Sequence, residues 1–218
     1  MYIGVVGCMG VGKSTLTKAL ADRLGYRAYY EPVKENPYLD DFYADMKRYA
    51  CIMQFFMLTQ RYKQHMEIQA LRDKDIGVVH DQIIFGDYIY GTLTHRMGFM
   101  DERDYHNYSS HFDTLRPTLR LPDVVIHLKT DLPTTIKRIQ ERGRESEKTI
   151  DPNYLQGLTD LFATWVDSVR DQTNVIDLDW NTFQPVEDVV KNIERQLNVQ
   201  LPLLDPATMS LAPAAPAA

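Results

Sequence analysis

One stretch near the start of the chain constrains it more than any other. Gly7-Cys8-Met9-Gly10-Val11-Gly12-Lys13-Ser14 fits the pattern G-x-x-x-x-G-K-[ST]. The context fits as well. Tyr2 to Val6 is a short apolar run that reads as a buried strand. Ser14 to Leu24 reads as an amphipathic helix with Leu16, Leu20 and Leu24 on one face. Glycines allow backbone N–H groups to turn inward around phosphate oxygens, and the helix N-terminus adds partial positive charge. In such a loop Lys13 reaches the β- and γ-phosphates of a nucleotide, and the Ser14 hydroxyl ligates Mg²⁺. The loop leaves the acceptor open: water, a nucleoside, a nucleotide or another protein.

The rest of the chain alternates strand and helix signals. Strands are expected at Tyr26 to Tyr30, Ile76 to Asp81, Asp123 to Leu128 and Val175 to Leu178. Asn36 to about Arg72 reads as mostly helical, with Tyr49, Ile52, Met53, Phe56, Met57 and Gln60 at three-to-four spacing. Two helical stretches broken near Gly98 follow, then helices over Pro133 to Glu141, Tyr154 to Val169 and Pro185 to Leu197. Continuous apolar strands between helices predict a parallel sheet covered on both faces. Ligands of such sheets lie at the carboxyl ends of the strands. Gly7, Glu31 and Asp81 each follow or end a predicted strand and are expected to converge there.

Length and charge narrow the class further. The chain has 218 residues, 44% of them hydrophobic, which suits one α/β domain over 1–200. The segment 201–218 is rich in Pro and Ala and is expected to be a disordered tail. A formal charge of −6 argues against binding nucleic acid along a basic face. Cys8 and Cys51 are expected to be free thiols in a reducing compartment. The chain shows no signal peptide or membrane span, so a cytoplasmic location is expected.

Several polar residues outside the loop are candidates for chemistry. Glu31, fixed in direction by Pro32, places a carboxylate where it can face a γ-phosphate and accept a hydroxyl proton. Gln54 and Arg61 are seven apart, so they share a helix face, and Tyr43 shares it if the helix extends that far. Arg138 and Arg142 lie on one helix face with Arg144 just beyond; such a cluster offsets charge on a transferring phosphoryl group, or is a solvated charge run. Phe183 is placed to stack on a nucleotide base.

With these residues in order, the chain resembles the deoxynucleoside kinases, especially the bacterial deoxyadenosine/deoxyguanosine kinases. The resemblance runs over about residues 1–200. It includes the loop, Glu31-Pro32-Val33, Asn36-Pro37-Tyr38-Leu39, Phe42-Tyr43, Gln54, Arg61-Tyr62-Lys63-Gln64, Arg142-Gly143-Arg144 and Glu147. It implies a P-loop kinase fold with a five-stranded parallel sheet and an arginine-rich lid. It implies transfer of the γ-phosphoryl group of ATP, with Mg²⁺, to the 5′-hydroxyl of a purine deoxynucleoside. The ATP site implied is Gly7 to Thr15 with Arg138, Arg142 and Phe183. By resemblance Glu31 is the general base, and Lys13, Arg142 and Arg144 act on the phosphates. Gln54, Arg61 and Asp87 read the base, Tyr43 and Glu147 hold the sugar 3′-hydroxyl, and Asp81 lies near Mg²⁺ with Ser14. Relatives pair through helices, so a homodimer is expected, and the apolar Tyr49 to Met57 face fits that reading.

One position departs from the family pattern. Asp81 is followed by Gln82-Ile83 where many members carry Arg-Ser. Gln82 has no charge to give, so either its amide binds near Glu31 or another cation, such as a lid arginine, takes that place. The rival readings are a nucleoside monophosphate kinase and a non-catalytic nucleotide-binding subunit.

Overall fold

The computed structural model describes residues 1–33, 36–144, 147 and 150–202. Most of the expected tail, 203–218, lies outside these, as do Glu145, Ser146 and Lys148 of the charged segment. Leu201 is buried, and its N–H donates to the Glu194 carboxylate at 2.9 Å.

The strands are β1 (Tyr2–Val6), β2 (Arg27–Tyr29), β3 (Val78–Asp81), β4 (Val124–Lys129) and β5 (Asn174–Asp179). The helices are α1 (Lys13–Leu24), α2 (Leu39–Ala44), α3 (Met46–Arg72), α4 (Phe85–Arg96), α5 (Glu102–Leu115), α6 (Leu132–Arg142), α7 (Pro152–Ser168) and α8 (Val186–Leu197). Among the described residues the strands form one parallel sheet ordered β2-β3-β1-β4-β5. Right-handed crossovers send the β1–β2 connection over one face and the later connections over the other. In agreement, α1 packs with α8, while α4 packs with α3, α5 and α7. The chain reverses direction at β1, so the loop after β1 sits at the switch point where parallel sheets bind ligands.

Local chemistry sets the helix boundaries. Asp45, Asp101, Asp131 and Asp151 cap α3, α5, α6 and α7, each accepting a bond from a backbone N–H of the first turn. The mostly helical stretch from Asn36 to Arg72 is divided at Asp45. Asp45 ends α2 and starts α3 at φ −147, ψ 80, because its carboxylate competes for the Arg48 N–H. Tyr43 therefore belongs to α2 and not to the helix of Gln54.

Among the described residues, two apolar cores form. The first surrounds the sheet, with Val5, Val79 and Ile126 between Leu16 and Leu20 of α1 and Leu158 and Phe162 of α7. The second lies beside the sheet, where Ala50, Met53, Met57 and Leu58 of α3 meet Phe42, Ile84, Tyr108 and Phe112. Of the apolar face of α3, Met53 and Met57 are buried in this core, Tyr49 and Phe56 are partly buried, and Ile52 remains 45% exposed. Cys8 and Cys51 are both free. Among the described residues no helix is long and apolar enough to cross a membrane.

Candidate active site

The phosphate loop joins β1 to α1 as its sequence requires. Gly10 and Gly12 have φ of +79 and +101, which favour glycine, and a Cβ at Gly10 would lie 2.5 Å from Ile139 Cγ1. Lys13 is buried, and its Nζ donates to the carbonyls of Gly7 (3.2 Å) and Cys8 (3.0 Å), folding the side chain back along the loop. Thr15 is exposed on the first turn of α1. A cavity of about 570 Å³ lined by Ser14, Thr15, Lys18, Ala19, Asp22 and Tyr30 adjoins the loop. A second one, about 830 Å³, is lined by residues such as Leu121, Pro122 and Asn174 near the amino ends of β4 and β5, and contains none of the loop residues.

Asp81, at the carboxyl end of β3, accepts a hydrogen bond from Ser14 Oγ through one oxygen, and its other oxygen has no partner. Burial raises the Asp81 carboxyl above its ordinary range, opposed by the nearby Lys13 ammonium. Among the described residues no group of three or more His, Cys, Asp or Glu gathers to hold a metal ion. One hydroxyl plus one carboxylate with a free oxygen suits Mg²⁺, which keeps water and substrate phosphates in its shell and needs few protein ligands.

Across from the loop, four elements bring a buried polar chain together. Arg61 of α3 donates from Nη1 to Asp87 of α4 and from Nη2 to Glu31, just beyond β2. Asp87 accepts a second bond, from Tyr108 Oη of α5, at 2.6 Å. The Arg61 guanidinium also lies 5.6 Å from the Tyr90 ring centroid. Side-chain exposure is 0% for Asp87 and 3% for Arg61, but 22% for Glu31, so only the Glu31 end opens to the cleft. Burial pushes Glu31 up, yet Arg61, with Lys13 and Arg144, more than reverses this and holds it below the usual carboxylate range. Asp87 shifts the other way: burial outweighs Arg61 and Tyr108 and raises it. Gln54 is buried on the same helix as Arg61, and its Oε1 has no partner.

The chain between Arg61 and Glu31 answers the question that Gln82 posed. Gln82 is fully buried at φ +63, and neither amide atom has a hydrogen-bond partner. It does not bind Glu31. The cation hydrogen-bonded to Glu31 is Arg61, a residue on another element, while Lys13 and the lid's Arg144 act on Glu31 through charge alone.

The lid arginines divide into two kinds. Arg142 and Arg144 both donate to the Glu147 carboxylate, the latter at 3.0 Å, and Glu147 is buried. Glu147 also lies near Tyr43, whose hydroxyl burial holds well above its ordinary pKa and whose neighbours include Glu31. Arg138 makes a different set of contacts. It donates to the carbonyls of Val11 (2.9 Å), Trp180 (2.8 Å) and Asn181 (3.1 Å), which pins the phosphate loop to the segment after β5. Phe183 stacks on that guanidinium, 4.2 Å from centroid to Cζ, and remains 53% exposed. Sequence reasoning missed Tyr108 and Tyr90. Neither carries a local signal, since each is a buried aromatic on a helix and acquires a polar partner only through packing.

Comparison with known proteins agrees with this fold. The family model described as deoxynucleoside kinase matches residues 3–201. A deoxyadenosine kinase of Dictyostelium discoideum is 32% identical over 197 residues, covering 89% of this chain and 78% of that protein. A deoxyadenosine/deoxycytidine kinase of Bacillus subtilis (strain 168) is 36% identical over 167 residues, 75% of this chain and 76% of that one. Among solved structures, deoxyadenosine kinase from M. mycoides with bound dATP superposes with a TM-score of 0.79 at 28% identity, covering 91% of this chain and 99% of that one. Phosphate loop, fold and sequence likeness over nearly the whole domain lead to one conclusion: the chain belongs to the deoxynucleoside kinase family, whose members are phosphotransferases.

Proposed function

We propose that this kinase transfers the γ-phosphoryl group of ATP to the 5′-hydroxyl of a purine deoxynucleoside, deoxyadenosine or deoxyguanosine. The observation that carries the reading is the buried Glu31–Arg61–Asp87 chain facing the phosphate loop, with the unpartnered Gln54 oxygen on the same helix as Arg61. Relatives named deoxyadenosine kinase and deoxyguanosine kinase, each 32% identical, support the purine preference.

In this reading the loop from Gly7 to Thr15 cradles the phosphates with its N–H groups, and Lys13 leaves its carbonyl partners for the β- and γ-phosphates. Ser14 and Asp81 would hold Mg²⁺, which supplies charge neutralisation on the phosphates when bound. Glu31 is ionised at neutral pH and accepts the 5′-hydroxyl proton as the new P–O bond forms. Arg142 and Arg144 stand ready at the cleft and exchange Glu147 for the oxygens of the transferring group. Asp87, Arg61 and Gln54 are buried in the ligand-free chain, so they read the base edge when a bound nucleoside takes over bonds that Asp87 and Arg61 now make with each other and reaches the unpartnered Gln54 oxygen, and such a site discriminates strongly against analogues that leave these groups unpaired. Tyr43 and Glu147 hold the 3′-hydroxyl. Arg138 with Phe183 forms a flat cationic and aromatic edge beside Val11 for the adenine of ATP.

A cytoplasmic location is consistent with the two free thiols. A homodimer rests on the family likeness, and light scattering on the purified chain tests it. The activity is tested by ATP-dependent phosphorylation of the four deoxynucleosides, with dAMP and dGMP as competing acceptors. Turnover of deoxyadenosine or deoxyguanosine that falls at least about a hundredfold in Glu31→Gln is expected. Turnover of monophosphates alone would overturn the reading.

A further inference from the structure

Glu31 owes its position to a residue that owes its own position to others. The side chain that follows Asp81 is a neutral glutamine with no bond to Glu31, so the hydrogen-bonded cation at Glu31 is Arg61. Arg61 in turn uses Nη2 on Glu31 and Nη1 on Asp87, while its Nε has no partner. Where Arg61 lies is therefore set largely by where Asp87 lies. The two Asp87 oxygens are fixed by one bond each, from Arg61 and from Tyr108.

Tyr108 has little freedom. It is fully buried on α5, and its ring packs edge-on against Phe55 at 5.7 Å between centroids. The ring fills the notch left by Gly91, where a Cβ would lie 2.3 Å from Tyr108 Cε1. Packing thus delivers the hydroxyl to Asp87 Oδ2, and a buried O–H···O⁻ bond of 2.6 Å is of the short, charge-assisted kind.

We infer that Tyr108 is a positioning residue for phosphoryl transfer: its hydroxyl anchors Asp87, and through Asp87 and Arg61 it aims the Glu31 carboxylate at the acceptor hydroxyl. The inference rests on the proposed role of Glu31 as the base. It also couples two tasks, because the carboxylate that reads the nucleoside base is the one that holds the counterion of the catalytic base. Asp87 is faced by Arg61 from α3, Tyr108 from α5 and Glu31 from beyond β2; Glu31 is faced by Arg61, Lys13 and Arg144 and also by Asp81 from β3, Tyr43 from α2, Tyr90 from α4 and Tyr154 from α7. Removing the Tyr108 hydroxyl takes away one of the two bonds that oppose protonation of the buried Asp87.

The test is Tyr108→Phe, which keeps the ring in its notch and deletes one oxygen. Two readouts are needed. In the ligand-free protein, the ¹³C carboxyl resonance of Asp87 is titrated by NMR, identified by its loss in Asp87→Asn. Loss of a hydrogen bond to an ionised group corresponds to an upward shift of about one pH unit. With deoxyadenosine and deoxyguanosine as acceptors, the acidic limb of kcat/KM is expected to move up by about the same amount, with kcat down roughly tenfold at pH 7 and KM for ATP unchanged. A lower thermal midpoint with an unmoved acidic limb and an unmoved Asp87 titration would mean that Tyr108 is only a packing residue, and would overturn the inference. A shifted Asp87 titration in a protein whose native form phosphorylates neither deoxynucleoside would overturn the functional reading and the positioning role with it. A shifted titration with an unmoved limb in an active enzyme would leave the functional reading standing and overturn the positioning role alone.

Discussion

The Arg61–Asp87 pair offers a sharp test of how the site is held together. Both side chains are removed from water, at 3% and 0% exposure, while Glu31 keeps 22%. Replacing Arg61 by Met leaves Asp87 as a buried carboxylate with only the Tyr108 hydroxyl for support. Removal of one partner from a buried ion pair costs about 3–5 kcal/mol. The Tyr108 bond and uptake of a proton by Asp87 both relieve the exposed charge, so the lower end, about 3 kcal/mol at pH 7, is expected. For a chain of this size that is a fall of roughly 6–12 °C in the thermal midpoint. Arg61 holds Asp87 down against burial, so its loss raises the Asp87 carboxyl further. The destabilisation is therefore largest at high pH and shrinks as pH falls through the raised value, where a neutral carboxyl no longer needs a cation. Adding Asp87→Asn removes the bare charge, and the double variant should be more stable than the sum of the single losses by at least about 1 kcal/mol. Urea denaturation of wild type, both single variants and the double variant at pH 6 and 8 completes the cycle. Additivity within about 0.5 kcal/mol, or an Arg61→Met loss independent of pH, would refute the account of a shared buried charge.

Two further outcomes follow from other parts of the molecule. Gly10→Ala forces a left-handed backbone on alanine and drives its Cβ to 2.5 Å from Ile139, so stability should fall by about 1–2 kcal/mol and affinity for a fluorescent ATP analogue by tenfold or more; unchanged affinity would show that the loop tolerates the displacement. Asp177 meets His127, Lys129 and Arg170; burial raises its carboxyl, but these bonds outweigh it and bring the group down to about 2. A depressed carboxyl contributes stability above its unfolded value and loses it as pH falls, so Asp177→Asn should cost about 1 kcal/mol at pH 7, discounted for solvent screening, with the difference from wild type vanishing between pH 4 and 2. A gap that persists at pH 2 would assign the loss to packing and not to charge.

Much of this protein is legible in its residues alone. The run from Gly7 to Ser14 between an apolar strand and an amphipathic helix dictates a phosphate loop, because only glycines tolerate its backbone and only a helix N-terminus completes it. The strand–helix alternation dictates a parallel sheet covered on both faces, since each buried strand needs apolar cover. Whether the helix of Gln54 reaches Tyr43 was open in the sequence, and the structure decides it at Asp45, where a capping carboxylate interrupts an otherwise continuous helical pattern. What tertiary structure decided is how the polar residues are joined. Arg61 lies 30 residues from Glu31 and 26 from Asp87, and Tyr108 lies 21 from Asp87; no local spacing links them. Arg138, four residues before Arg142, binds the Val11 carbonyl 127 residues away. Periodicity and steric rules act over one or two turns of chain, so they determine elements and loops. Which buried charge meets which is determined by the packing of whole helices on the sheet, where an unpaired carboxylate or guanidinium costs more than the folded state can sustain.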